Sequence, residues 1–109
     1  MVNNAGIAAE SSDPKPIWEA DLAAWDKTNA VNSTGVFYGC KYASAAMLKQ
    51  APHASGDRGW IINMASIYGL VATGTAPAYC ASKGAVVNLT RSCALACGPK
   101  VSALRSMSA

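Results

Sequence analysis

Trp60-Ile61-Ile62-Asn63-Met64-Ala65 is a nearly continuous apolar run, closed on one side by Gly59 and on the other by Ser66. Successive side chains of a strand point to opposite faces, so a half-exposed strand alternates apolar and polar residues. A run without that alternation fits a strand buried on both faces, as in a parallel sheet. Upstream, Val36, Cys40, Ala43 and Met47 recur three or four apart, which makes one apolar face of a helix. Downstream, Gly69, Gly74 and Pro77 punctuate a loop, and a helix is predicted over residues 78–96. Its stripe is Ala78, Ala81, Ala85, Leu89, Cys93 and Ala96, mostly small residues that let another helix or a sheet approach closely.

Before these elements, Met1-Val2 reads as the last apolar step of a strand that begins earlier, and it runs into the turn-forming cluster Asn3-Asn4-Ala5-Gly6. A polar, proline-containing loop covers residues 10–16. Asp21 is placed to cap a helix carrying Leu22, Trp25 and Lys27. Residues 52–59 read as an exposed loop. Strand end, helix, strand, helix is part of a βαβα alternation, and the fold class is α/β with a parallel sheet. In open α/β sheets, ligands sit beyond the carboxyl ends of the strands. The Asn3-Asn4 turn and Ser66 each follow a strand-like segment, so both are expected to open onto one edge.

Composition narrows the function classes. A chain of 109 residues is one small domain, and 51% apolar with only 14% charged residues is too apolar for a disordered tail. The net charge of +3 comes from scattered Lys and Arg without a basic run, which argues against nucleic acid as a partner. No apolar stretch approaches the ~20 residues that span a bilayer, and no signal peptide is visible. A soluble, cytoplasmic protein is expected, without a membrane partner. Cys40, Cys80, Cys93 and Cys97 form no Cys-x2-Cys pair and His53 is the single histidine, so no metal site is expected. The cysteines read as small buried residues in a reducing compartment rather than as a disulfide.

The chemistry-bearing residues lie around the central strand. Tyr79 and Lys83 are four apart, on one face of the predicted helix. A free phenol titrates near ~10, too high for a base at neutral pH, and a nearby ammonium favours the phenolate. The pair can therefore give or take a proton at a carbonyl or alcohol, although Tyr-x3-Lys also recurs on ordinary exposed helices. Ser66 follows the buried strand and precedes Tyr79 by thirteen residues. A hydroxyl there can stabilise charge developing on a reacting oxygen. Asn32, in Val31-Asn32-Ser33-Thr34-Gly35, sits inside a helical stretch, where an asparagine needs a partner to be tolerated.

Taken together, Asn3-Asn4-Ala5-Gly6, Val31-Asn32, Ile62-Asn63-Met64-Ala65-Ser66 and Tyr79-Cys80-Ala81-Ser82-Lys83 resemble, in order, the motifs of the short-chain dehydrogenase/reductase family. The resemblance covers residue 1 to about 98 and is most specific at Tyr-x-Ala-Ser-Lys. It implies a partial doubly wound Rossmann domain and hydride transfer between NAD or NADP and a small carbonyl or alcohol substrate. It implies Tyr79 as acid/base, Ser66 as the group orienting the substrate oxygen, and Lys83 as the residue that tunes the tyrosine and binds the nicotinamide ribose. Asn32 would hold a water in a proton relay, and Asn4 would border the cofactor. Members commonly pair through the Tyr-bearing helix and the one before it, so a homo-oligomer is implied for the complete protein. Ala65 stands where many members have a second serine.

The family's Gly-x3-Gly-x-Gly turn, which presents the pyrophosphate to a helix N-terminus, does not occur in these 109 residues. The chain thus reads as the central catalytic part of such a domain over residues 1–100, followed by a tail at 101–109 outside the family pattern. Where members often continue Gly-Ile-Arg-Val after a residue like Lys100, this chain has Val101-Ser102-Ala103-Leu104, with no strand pattern. A single-nucleotide frame slip or an unspliced intron after Lys100 would account for it. Beside the oxidoreductase stands a second reading, a non-catalytic remnant with the same local motifs, and a third, an unrelated α/β binding module.

Overall fold

The computed structural model describes residues 1–98 and the backbone of residues 103–107. The elements are β1 (Val2–Asn3), α1 (Leu22–Asn29), α2 (Gly35–Lys49), β2 (Trp60–Met64), α3 (Pro77–Cys97) and β3 (Ala103–Met107). The strands form one parallel sheet in the order β1-β2-β3, with Val2 opposite Ile62 and Trp60 opposite Ala103. Each crossover between strands is helical, as parallel pairing requires.

β2 is central and paired on both edges, but only one of its faces is covered within the described residues. Ile61 and Asn63 point to the side of α2 and α3 and are wholly enclosed. Trp60, on the other face, is 47% exposed, and Ile62 and Met64 are only half-buried. The expected burial on both faces is thus corrected: the strand's composition suits two covers, and the described residues supply one.

The core is a cluster of Val36, Cys40, Ile61, Ala65, Val86 and Val87, with Ala43, Met47, Leu89 and Cys93 packed against it. The stripe predicted on α2 is therefore the face that packs inward. A polar line runs through this layer. Asn3 Nδ2 donates to Asn63 Oδ1 at 2.7 Å, Asn63 Nδ2 donates to Thr90 Oγ1 at 2.9 Å, and Thr90 Oγ1 donates to the Val86 carbonyl. Gly39 is what lets Asn3 in, because a Cβ there would overlap the Asn3 side chain. Burial, with Cys40 and Cys97 nearby, pushes the Cys93 thiol up to about 11, so it stays protonated and inert near neutral pH.

The stripe expected on α3 needs correction. The helix buries Ala78, Ser82, Lys83, Val86, Val87 and Thr90, whereas Ala81, Ala85 and Ala96 face outward. Counting apolar residues alone rotates the inferred face, because Ser82, Lys83 and Thr90 are buried polar groups with specific partners.

Asp21 caps α1 as expected, its Oδ1 accepting from the Ala23 N–H at 3.1 Å. Between α1 and α2 the chain makes a π-helical turn at Ala30–Thr34 without leaving the helical path, and it buries Asn32. Such turns are frequent at functional sites.

Residues 103–107 pair in parallel along the whole of β2, although their sequence carries no strand pattern. Ladder hydrogen bonds are made by backbone groups, and the free edge of β2 is a template for any chain that reaches it. Pro99, Lys100, Val101 and Ser102, where the tail outside the family pattern is expected to begin, lie outside the described residues. No helix among the described residues is long and apolar enough to cross a membrane.

Candidate active site

The first turn of α3 carries Tyr79 and lacks a cap of its own. Its N-cap residue is Ala76, which has no side-chain acceptor, and Pro77 at the first position has no N–H to satisfy. The next two amides are the ones an N-cap side chain ordinarily holds. Here they go to Glu10: Ala78 N–H donates to Oε1 and Tyr79 N–H to Oε2, each at 2.9 Å. Glu10 is only 7% exposed. The Tyr79 carbonyl in turn accepts from Ser82 Oγ at 2.8 Å.

One turn on, Lys83 is 5% exposed, and its Nζ donates to the Met64 carbonyl at the carboxyl end of β2, at 2.9 Å. Burial lowers its pKa from the ordinary 10.5. The ammonium lies 5.7 Å from the centre of the Tyr79 ring, and Tyr68 meets that ring edge-on at 6.3 Å. Ser66 follows β2, is buried, and its Oγ accepts from the Tyr68 N–H at 3.3 Å.

The loop after β1 is fastened by side chains of the helical layer. Asn32 grips Ile7 at both backbone groups, Oδ1 accepting from its N–H and Nδ2 donating to its carbonyl, each at 2.8 Å. Asn32 Nδ2 also donates to Ser82 Oγ at 3.0 Å, and Thr28 Oγ1 accepts from the Ala9 N–H. Gly6 lies between the two: a Cβ there would stand 3.4 Å from Lys83 Nζ and 3.6 Å from Asn32 Oδ1.

Tyr79, Tyr68, Glu10, Ser11, Thr73 and Thr75 line an open cavity of about 330 Å³. The predicted site residues fall at different depths around it. Tyr79 is in its wall, and Lys83 lies beside the Tyr79 ring. Ser66 is buried behind Tyr68 and outside the lining. Asn32 reaches Tyr79 only through Ser82. Asn4 is exposed and belongs to a separate hollow of about 180 Å³ with Val2, Val31 and Gly35.

Sequence reasoning missed Glu10, Ser82 and Thr28. Glu10 sits in an aperiodic loop that no pattern flags. The signal that was available is negative: Ala76-Pro77 opens a long helix without a capping side chain, so an acceptor has to come from elsewhere. Chemically, the site sets a phenol beside an ammonium near the carboxyl end of a parallel strand, an arrangement suited to moving one proton at a carbonyl or alcohol oxygen.

The short chain dehydrogenase family model matches residues 1–105. The chain is 50% identical over 91 residues to 2-(S)-hydroxypropyl-CoM dehydrogenase 3 of Xanthobacter autotrophicus, covering 84% of this chain and 32% of that protein. It is 41% identical over 100 residues to the NADP-dependent (R)-specific alcohol dehydrogenase of Lentilactobacillus kefiri, covering 92% of this chain and 36% of that one. Among solved structures, 4-hydroxyisoleucine dehydrogenase complexed with NADH superposes with a TM-score of 0.82 at 28% identity, covering 98% of this chain and 40% of that one. The chain thus spans about a third of the length of the curated relatives it matches.

Proposed function

The chain belongs to the short-chain dehydrogenase family, and we propose that it supplies the proton-transfer half of an NAD(P)-dependent oxidoreductase acting on a small carbonyl or alcohol. The observation that carries this reading is Tyr79, fixed in a cavity wall with a buried lysine beside its ring.

In reduction, the Tyr79 hydroxyl gives its proton to the carbonyl oxygen; in oxidation, it takes the proton from the alcohol. Ser66 hydrogen-bonds the same oxygen, and the Lys83 ammonium stabilises negative charge as it builds on the phenol oxygen. When bound, the nicotinamide supplies or takes the hydride. The donor set suits such a cofactor: Lys83 has three N–H groups, one of which goes to the Met64 carbonyl, leaving others for ribose hydroxyls. Asn4, at the mouth of the loop after β1, borders the cofactor. Asn32 already commits Nδ2 to Ile7 and Ser82, so a relay water is held at an acceptor of Asn32. NAD and NADP both remain within the reading, since the relatives include users of each by name.

A cytoplasmic setting and a homo-oligomer go with this reading. Phe37, Tyr38, Tyr42 and Leu95 are exposed on α2 and α3, and they support pairing with a second copy across these helices. By themselves, these residues are expected to bind nicotinamide cofactors weakly and to turn nothing over.

The test joins this chain to the flanking segments of 2-(S)-hydroxypropyl-CoM dehydrogenase 3. This completed enzyme should reduce or oxidise a small ketone or alcohol. Tyr79→Phe should abolish turnover while cofactor binding, read by NADH and NADPH fluorescence, survives. Turnover within a few-fold of the parent would refute the acid/base assignment.

A further inference from the structure

We propose that Glu10 is the positioning residue of Tyr79, a carboxylate that holds the catalytic turn of α3 from the other end of the site. The proposal rests on the reading of Tyr79 as acid/base. It begins from the missing cap. Ala76 offers no acceptor and Pro77 no donor, so the phenol's helix starts with two amides that nothing local can satisfy. Glu10 arrives from 68 residues away in the chain and takes both, one on each oxygen. A buried carboxylate is costly unless it is fully hydrogen-bonded. Its presence here is accounted for by that pair of charge-assisted bonds and by its place at a helix N-terminus, where the dipole favours negative charge.

Glu10 is itself held. Three residues before it, Ile7 is clamped at N–H and C=O by Asn32, and Ala9 N–H is bonded to Thr28. Asn32 also bonds Ser82, which bonds the Tyr79 carbonyl. The backbone of Tyr79 is therefore gripped on both sides, at N–H by Glu10 and at C=O by Ser82, and both grips lead back to the same loop. Because α3 is a rigid lever, displacement of its first turn moves the phenol oxygen against the substrate, the kind of small error that reduces turnover more than binding. Glu10 also lines the cavity. Its two oxygens face the helix amides, so it acts through Tyr79 and is a positioning group, not a catalytic one.

The experiment uses the completed enzyme described above and adds a local cap. In Glu10→Ala, kcat should fall by about tenfold to a hundredfold, while KM and Kd for the cofactor stay within about twofold. Amide hydrogen exchange at Ala78 and Tyr79 should become about tenfold faster, with the amides of Val86 and Val87 unchanged. Placing a carboxylate at the helix's own cap, Glu10→Ala with Ala76→Asp, should restore both kcat and protection. Should Glu10→Ala fail to fold, Glu10→Gln keeps the size and loses one acceptor, and it should show the same two effects at smaller amplitude.

A Glu10→Ala or Glu10→Gln enzyme with parental kcat overturns the proposal. So does a double variant in which Ala76→Asp restores amide protection but leaves kcat low, because Glu10 would then act on substrate directly. Failure of the underlying reading looks different: Tyr79→Phe would keep turning over while Glu10→Ala still exposed the two amides.

Discussion

The two halves of α3 are built in opposite ways. In the first, buried polar groups are tied to other segments: the opening amides to Glu10, Ser82 to Asn32, and Lys83 to the end of β2. In the second, Leu89 and Cys93 lean on the core, while Arg91, Ser92 and Ala96 face outward and Leu95 is 83% exposed. The first half accepts the desolvation of a lysine and a glutamate so that one phenol is held in place. The second half is anchored by packing and by one buried bond to another segment, from Asn63 Nδ2 to Thr90 Oγ1, and it leaves an apolar side chain in the open.

That contrast breaks most visibly at Lys83. In the completed enzyme, Lys83→Met should lower kcat/KM by about 10²- to 10⁴-fold, the range of acid–base assistance, whereas Leu95→Ala should leave it unchanged. Comparable losses in steady-state assays of both variants would erase the difference between the halves. Next in size is Ile61→Ala, beneath both helices and fully enclosed. It should destabilise the completed enzyme by about 2–5 kcal/mol in denaturant titrations, with Tyr79 chemistry retained in the folded fraction.

Lys83 also sets a pH signature of intermediate size. Its folded pKa lies below the ordinary 10.5, so between these values the unfolded chain binds more protons than the folded one. The cost of burying the charge is fully present below the folded pKa and disappears as pH rises to the unfolded one. Stability relative to Lys83→Met should therefore rise through that window, read as thermal midpoints at stepped alkaline pH. A difference that falls with pH would contradict the burial of the ammonium. The smallest effect belongs to the open half: Leu95→Ala should change subunit stability by less than about 0.5 kcal/mol. It should nonetheless weaken self-association in sedimentation runs if this face meets a second copy.

Parts of this architecture are legible in the sequence because they are local. Asp21 before Leu22 marks a helix start, and the three-and-four spacing of Val36, Cys40, Ala43 and Met47 marks an inward face. The motif at Tyr79 and Lys83 marks the candidate site because a fixed spacing on a helix fixes a shared face. What stayed hidden depends on distant partners. Glu10 meets α3 across 68 residues, and β3 is recruited by a backbone edge that does not consult side-chain pattern. The inward face of α3 was misread for the same reason: Ser82, Lys83 and Thr90 are buried by hydrogen bonds to Asn32, Met64 and Asn63, and hydrophobic spacing is blind to such bonds.

The pairing of β1 with β2 also has a consequence for synthesis. Asn3 meets Asn63 across 60 residues, and no hairpin lies between them to bring the strands together early. At about 5–20 residues per second on the ribosome, β1 emerges several seconds before its partner exists. During that interval the Asn3 amide and the slot above Gly39 have only water to bind, while α1 and α2 can already coil within microseconds. Nascent chains of this protein should therefore hold their helices before their sheet.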